Sequence, residues 1–204
     1  NVLEDEATED MFRLIGVGRG EKALGPFWNA IKNRLPWLFV NLATAILAGL
    51  CIALFESTLN RAVALAVFLP VIAGQGGIAG TQTLILIVRS IALGEIEHRS
   101  VKKLLVKELA LGLVHGAALG LAIGIITFLW QGSGYLALIV GISMLSNLAI
   151  AGISGVIVPL SFRAFGIDPA LASAVAVTTV TDVLGFLIYL GLASISIELI
   201  TQTL

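Results

Sequence analysis

Charge is what this chain most conspicuously lacks. Only 12% of its 204 residues are Asp, Glu, Lys or Arg, against about 25% in an average soluble domain. With 58% hydrophobic residues and a mean hydropathy of +1.03, that scarcity excludes a soluble globular domain and leaves an integral membrane protein. The formal net charge of −1 supplies no basic field for nucleic acid. Cysteine is almost absent too: Cys51 stands alone in an apolar run, so it forms no internal disulfide, reports nothing on redox compartment and reads as a small packing residue. An initiating Met and a basic-then-apolar signal are also missing. The chain opens at Asn1 with an acidic segment, and the expectation is a piece of a longer protein with a soluble N-terminal region ahead of it.

What is present is long apolar runs, and they organise the chain. Residues 1–33 read as a cytoplasmic linker and juxtamembrane segment, with Glu4, Asp5, Glu6, Glu9 and Asp10 clustered, a glycine-punctuated loop, and an aromatic and basic stretch from Pro26 to Arg34 suited to a surface helix. Residues 34–204 read as an all-α transmembrane domain of five helices. The first span opens at Pro36 and Trp37 and runs to about Phe55, roughly the 20 residues a bilayer needs. A short loop bracketed by Glu56 and Arg61 leads to a second stretch, Ala62 to Val88. Pro70, Gly74, Gly76, Gly77 and Gly80 fall inside it and predict a break or kink, whose freed carbonyls must line a wet cavity or be buried in protein. The third span, about Leu109 to Trp130, carries Gly112, Gly116, Gly120 and Gly124 at intervals of four, a ridge for close helix packing. The fourth runs from about Tyr135 to Val158, where Asn147 reads as helix-to-helix glue. Asp168-Pro169 has the N-cap and first-turn order for the fifth, which ends near Glu198.

Five spans put the chain ends on opposite sides. Arg13, Arg19, Lys22, Lys32, Arg34, Arg89, Arg99, Lys102, Lys103, Lys107 and Arg163 then share the side of the N-terminus, against Arg61 alone on the other. By the positive-inside bias the N-terminus is cytoplasmic and the C-terminus external.

One acid stands out. Asp182 is the only carboxylate between Asp168 and Glu198, and an ionised carboxylate at mid-bilayer costs roughly 2.5–3.5 kcal/mol even on lenient insertion scales. Such residues mark ion or proton paths by default. Thr178 and Thr179 lie one turn before it, and Gly185 and Phe186 one turn after, so hydroxyl and carbonyl oxygens share its face. Oxygen donors with no His or Cys nearby suit Mg²⁺, Ca²⁺ or Mn²⁺ better than zinc or copper. A protonated Asp bonded to a neighbouring helix is the other reading of the same residue. One carboxylate is thin for a divalent ion, and a C2 homodimer would bring two copies to the axis. Enzymatic readings fail: His115 with Gly152-Ile-Ser-Gly155 imitates an intramembrane Ser/His protease, but the His precedes the Ser and lies in the glycine ridge, and no second aspartate serves an aspartyl mechanism.

Taken together, the chain resembles the transmembrane domain of the MgtE magnesium channel family. The matching stretches are Glu6-Ala-Thr-Glu-Asp10, Arg34-Leu-Pro-Trp37, Asn41-Leu-Ala-Thr-Ala45, Ala64-Leu-Ala-Val-Phe-Leu-Pro70, Gly76-Gly-Ile-Ala-Gly-Thr-Gln82, Arg89 with Ala92-Leu-Gly-Glu95, and Thr178-Thr-Val-Thr-Asp-Val-Leu-Gly-Phe186. The resemblance implies a homodimer of five-span subunits in a bacterial or archaeal plasma membrane, with a pore on the dimer axis lined by the second and fifth spans. It implies hydrated Mg²⁺ as the conducted ion, held at Asp182 with the carbonyl of Thr178 one turn earlier. Pro70, Gly74, Gly76, Gly77, Ile78, Gly80, Thr81, Thr179 and Gly185 are the pore-lining positions expected around it. It also implies cytosolic regulatory domains N-terminal to this segment. The family usually has Asn after the Gly pair, where this chain has Ile78, so the second-span part of the site loses an amide. A Na⁺- or H⁺-coupled exchanger and a non-transporting assembly or sensor subunit are the alternative readings.

Overall fold

The computed structural model describes residues 24–96, 100–170 and 173–203; the acidic cluster of residues 4–10 lies outside them. Every element among these residues is helical: α1 Phe27–Ala53, α2 Glu56–Arg61, α3 Ala64–Ala92, α4 Val101–Gln131, α5 Gly134–Ala164, α6 Ser173–Ile195 and α7 Ile197–Thr203. Five of them, α1, α3, α4, α5 and α6, are long and apolar enough to cross a membrane. Within hydrocarbon a spanning segment must satisfy its own backbone groups, and the helix does so without partners.

Two expectations need correction. The surface helix at Pro26–Arg34 and the first span are not separate: α1 is continuous through Pro36. One proline removes one bond, and the Ala, Leu, Ile and Lys residues around it favour helix strongly enough to hold the rest. Of the break or kink expected in the second span, the break is absent, since α3 is unbroken from Ala64 to Ala92 with Pro70 inside it. Its glycines serve approach by neighbouring helices instead of unwinding. A Cβ on Gly76 would meet the Asn147 amide, one on Gly77 would lie 3.4 Å from Thr178 Cγ2, and one on Gly80 would lie 2.6 Å from Val177 Cγ1.

The other boundaries differ in smaller ways. The loop between Glu56 and Arg61 is the one-and-a-half-turn helix α2. Asp168 Oδ1 accepts from the N–H of Ala170 at 2.9 Å, a capping bond, while the helix itself is described from Ser173. At the α4–α5 turn Gly132 adopts φ 72°, the left-handed conformation that ends α4, and Ser133 Oγ accepts from Leu136 N at 3.3 Å to cap α5.

The bundle is arranged around α5, which packs against α4, α3 and α6. Lipid offers apolar surface as good as any side chain, so close packing and a few polar bonds hold such helices together. The glycine ridge of α4 supplies the closest approach: Cβ atoms added at Gly112, Gly116 and Gly120 would lie 2.5 Å from Leu148 O, 2.7 Å from Leu145 Cα and 2.6 Å from Gly141 O. Leu65, Phe68 and Ile72 of α3, Leu136, Val140, Met144 and Leu148 of α5, and Tyr189 and Leu190 of α6 form the main core. Tyr189 donates its hydroxyl to Leu65 O at 3.0 Å across that core. Helix α1 packs chiefly on α6, through Ala48 and Cys51 against Phe186 and a weak bond from Cys51 Sγ to Val183 O at 3.7 Å.

Candidate cation site

Helices α3 and α6 pack together, and on one side of their contact lies a groove of about 570 Å³ with Asp182 in its wall. From α6 come Thr178 and Asp182, one turn apart. From α3 come Ala73, Gly74, Gly77, Ile78, Thr81, Gln82 and Ile85, spaced so that one helical stripe faces the acid. Gly77 is what brings the two helices within reach, with Thr178 Cγ2 against it.

The threonine hydroxyls of the groove are turned onto their own helices. Thr178 Oγ1 donates back to Ala174 O at 3.0 Å and Val175 O at 3.1 Å, and Thr81 Oγ1 donates to Gly77 O at 2.8 Å. Each hydroxyl thus spends its proton on its own helix and keeps oxygen lone pairs to accept or coordinate. The Thr178 carbonyl accepts from Thr181 Oγ1 at 2.9 Å, so this oxygen already has a side-chain partner. Among the described residues no hydrogen bond or ion pair engages the Asp182 carboxylate, and no three His, Cys, Asp or Glu side chains gather anywhere. A hydrated hard cation asks for less than a dehydrated one: one or two carboxylates, neutral oxygens and retained water suffice for Mg²⁺.

Of the expected site residues, Asp182, Thr178, Gly74, Gly77, Ile78 and Thr81 line the groove. Gly76, Gly80 and Gly185 are buried on other faces. Gly76 and Gly185 flank Asn147, which is fully buried in α5 and donates from Nδ2 to Ile72 O at 2.8 Å. Asn147 is thus the glue its sequence position suggested. Pro70 is exposed outside the groove, and Thr179 Oγ1 donates to Val175 O at 2.6 Å within its own helix. Ala73, Gln82 and Ile85 join the groove without having been singled out. Their signal was the four-residue spacing from Gly77, Ile78 and Thr81, which continues the same stripe.

Ile78 is 57% exposed in this wall, and Ile85 is exposed beside it. The groove is therefore mostly apolar in its lining, with polar groups at Asp182, Thr178, Thr81 and Gln82.

The family model of MgtE, described as a divalent cation transporter, matches residues 69–192, more than half of the chain and both walls of the groove. The chain is 33% identical over 194 residues to the magnesium transporter MgtE of Bacillus subtilis, covering 95% of this chain and 43% of that protein. It is 36% identical over 194 residues to the magnesium transporter MgtE of Enterococcus faecalis, with 95% and 43% covered. Against the magnesium transporter MgtE of Thermus thermophilus it is 35% identical over 204 residues, with 97% and 44% covered. The chain thus spans less than half the length of the curated relatives it matches. Five apolar helices, an acid in the groove between two of them and a match spanning both groove walls lead to one conclusion: the chain belongs to the MgtE family of divalent cation transporters.

Proposed function

We propose that the chain conducts divalent cations, Mg²⁺ foremost, through a pore formed by two copies of itself and centred on Asp182. The observation that carries this reading is the position of that carboxylate in a groove open along its side. In a bilayer an ionised acid facing lipid is costly, and a second copy placed over the open face would remove it from lipid and double the charge at the site. Thr178 and Thr81 supply accepting oxygens around it. The ion keeps much of its water, because Mg²⁺ dehydrates reluctantly and this donor set is too sparse to replace its shell. The N-terminus is cytoplasmic, the C-terminus external and the membrane a bacterial or archaeal plasma membrane, on the basic-residue asymmetry and the bacterial relatives. Soluble regulatory domains preceding this segment belong to the same reading, as does the division into a linker of residues 1–33 and a pore domain of residues 34–204.

The test is uptake of Mg²⁺ into proteoliposomes holding the purified chain, driven by a Mg²⁺ gradient alone. Uptake is expected without any Na⁺ or H⁺ gradient. Uptake that requires one would make the protein a coupled exchanger, and none under any gradient would make it a non-transporting assembly or sensor subunit.

A further inference from the structure

A second cavity of about 190 Å³ lies between α3, α4 and α5 and shares Gln82 with the groove. Its unusual member is Glu108 in the second turn of α4, only 4% exposed. Buried carboxylate oxygens are ordinarily all hydrogen-bonded, and here one is not. Oε2 accepts from Thr83 Oγ1 at 3.0 Å, while Oε1 is buried without a hydrogen-bond partner among the described residues. It faces only the Lys107 ammonium at 3.5 Å, on a side chain 59% exposed, and so loosely held an ion pair contributes little.

The surroundings of Oε1 match a hard cation. Gln82 lines the same cavity with an amide, and the Thr83 hydroxyl, which donates to Glu108, retains lone pairs. The cavity has room for several waters, and apolar walls including Ala79, Leu111 and Leu148 limit how many reach the carboxylate. A single carboxylate with neutral oxygens and water is how Mg²⁺ is commonly held. His115 also lines the cavity, but the oxygen donors outnumber it.

We propose that this cavity is a second divalent-cation site anchored by Glu108, with Lys107 occupying the carboxylate until the ion displaces it. The site shares Gln82 with the groove but not Asp182, and it does not depend on the groove conducting, so a chain that passes no ion can still bind here.

The experiment is calorimetric titration of Mg²⁺ into the purified chain in detergent, on an Asp182→Asn background that removes the groove acid. One Mg²⁺ per chain is expected to remain. Adding Glu108→Gln, which keeps an oxygen for the Thr83 bond but removes the charge, should weaken it about tenfold or more. Adding Lys107→Ala instead removes the competing ammonium and should tighten it about threefold or more. A merely structural Glu108 would give the first variant lower thermal stability and leave Mg²⁺ affinity in the second unchanged. No Mg²⁺ binding in Asp182→Asn, or unchanged affinity in Glu108→Gln, overturns the site. Should Glu108→Gln fail to fold, Lys107→Ala decides alone, and unchanged or weaker binding there overturns it.

Discussion

Asp182 matters because of what flanks it. Thr178 one turn earlier and Thr81 across the groove both turn their hydroxyl protons inward to their own helices, which leaves oxygens and a carboxylate for a cation. Ile78, in the same wall, offers no oxygen at all. Ile78→Asn would place an amide beside the acid, and Mg²⁺ should then be favoured more strongly over Ca²⁺ and Mn²⁺ in proteoliposome flux; an unchanged ion order would remove residue 78 from selectivity. Asn147 belongs to the same neighbourhood but to a different job. Its amide fills the space left by Gly76 and Gly185 and bonds Ile72 O, so it fastens α5 to both helices that wall the groove. Asn147→Ala is expected to cost about 1–3 kcal/mol through the lost bond and the cavity left behind. Thermal unfolding in detergent reads this directly, and an unaltered midpoint would show that α3 and α6 are held without it.

At the scale of helices, three of the four glycines of α4 leave no room for a methyl group and the fourth, Gly124, leaves more. Alanine at Gly112 would force its Cβ to 2.5 Å from Leu148 O and at Gly116 to 2.7 Å from Leu145 Cα, whereas at Gly124 it would sit 3.3 Å from Ala137 O. The first two substitutions should each cost about 1–3 kcal/mol of stability, typical of overpacking, and the last little, by thermal unfolding of the three variants side by side. Equal effects along the series would mean that α4 and α5 shift freely to accommodate a methyl group. The same ridge shows what the sequence made legible. Small residues at intervals of four have one common use in a membrane helix, so this interface is legible in the sequence alone. The glycines of α3 could not be read that way. Gly76, Gly77 and Gly80 are close in sequence yet face Asn147, Thr178 and Val177 respectively, two different helices. Nothing in their spacing distinguishes a face packed by neighbours from a helix about to break, and Pro70 beside them pointed to the break. The five spans and Asp182 were legible because apolar length and an acid within an apolar run are local properties. Which glycines line the groove depends on where α5 and α6 lie, and that is not local.

For the molecule as a whole, the groove leaves Ile78 and Ile85 exposed beside an acid, which makes the α3–α6 face the one expected to meet a second copy. A cysteine at Ile78, in a chain whose buried Cys51 is replaced by Ala, should form a disulfide-linked dimer under mild oxidation, because the two copies of that position would lie near the axis. Failure to cross-link in a chain that still migrates as a dimer would place the axis elsewhere. In the proposed dimer two copies of Asp182 would share one divalent ion, which a single acid per groove would otherwise hold alone. The most direct measurement is therefore Mg²⁺ uptake by proteoliposomes carrying Asp182→Asn, which keeps the size of the side chain and removes its charge. Uptake should fall to the level of protein-free vesicles while the dimer and its thermal stability persist; undiminished uptake would contradict a pathway centred on Asp182.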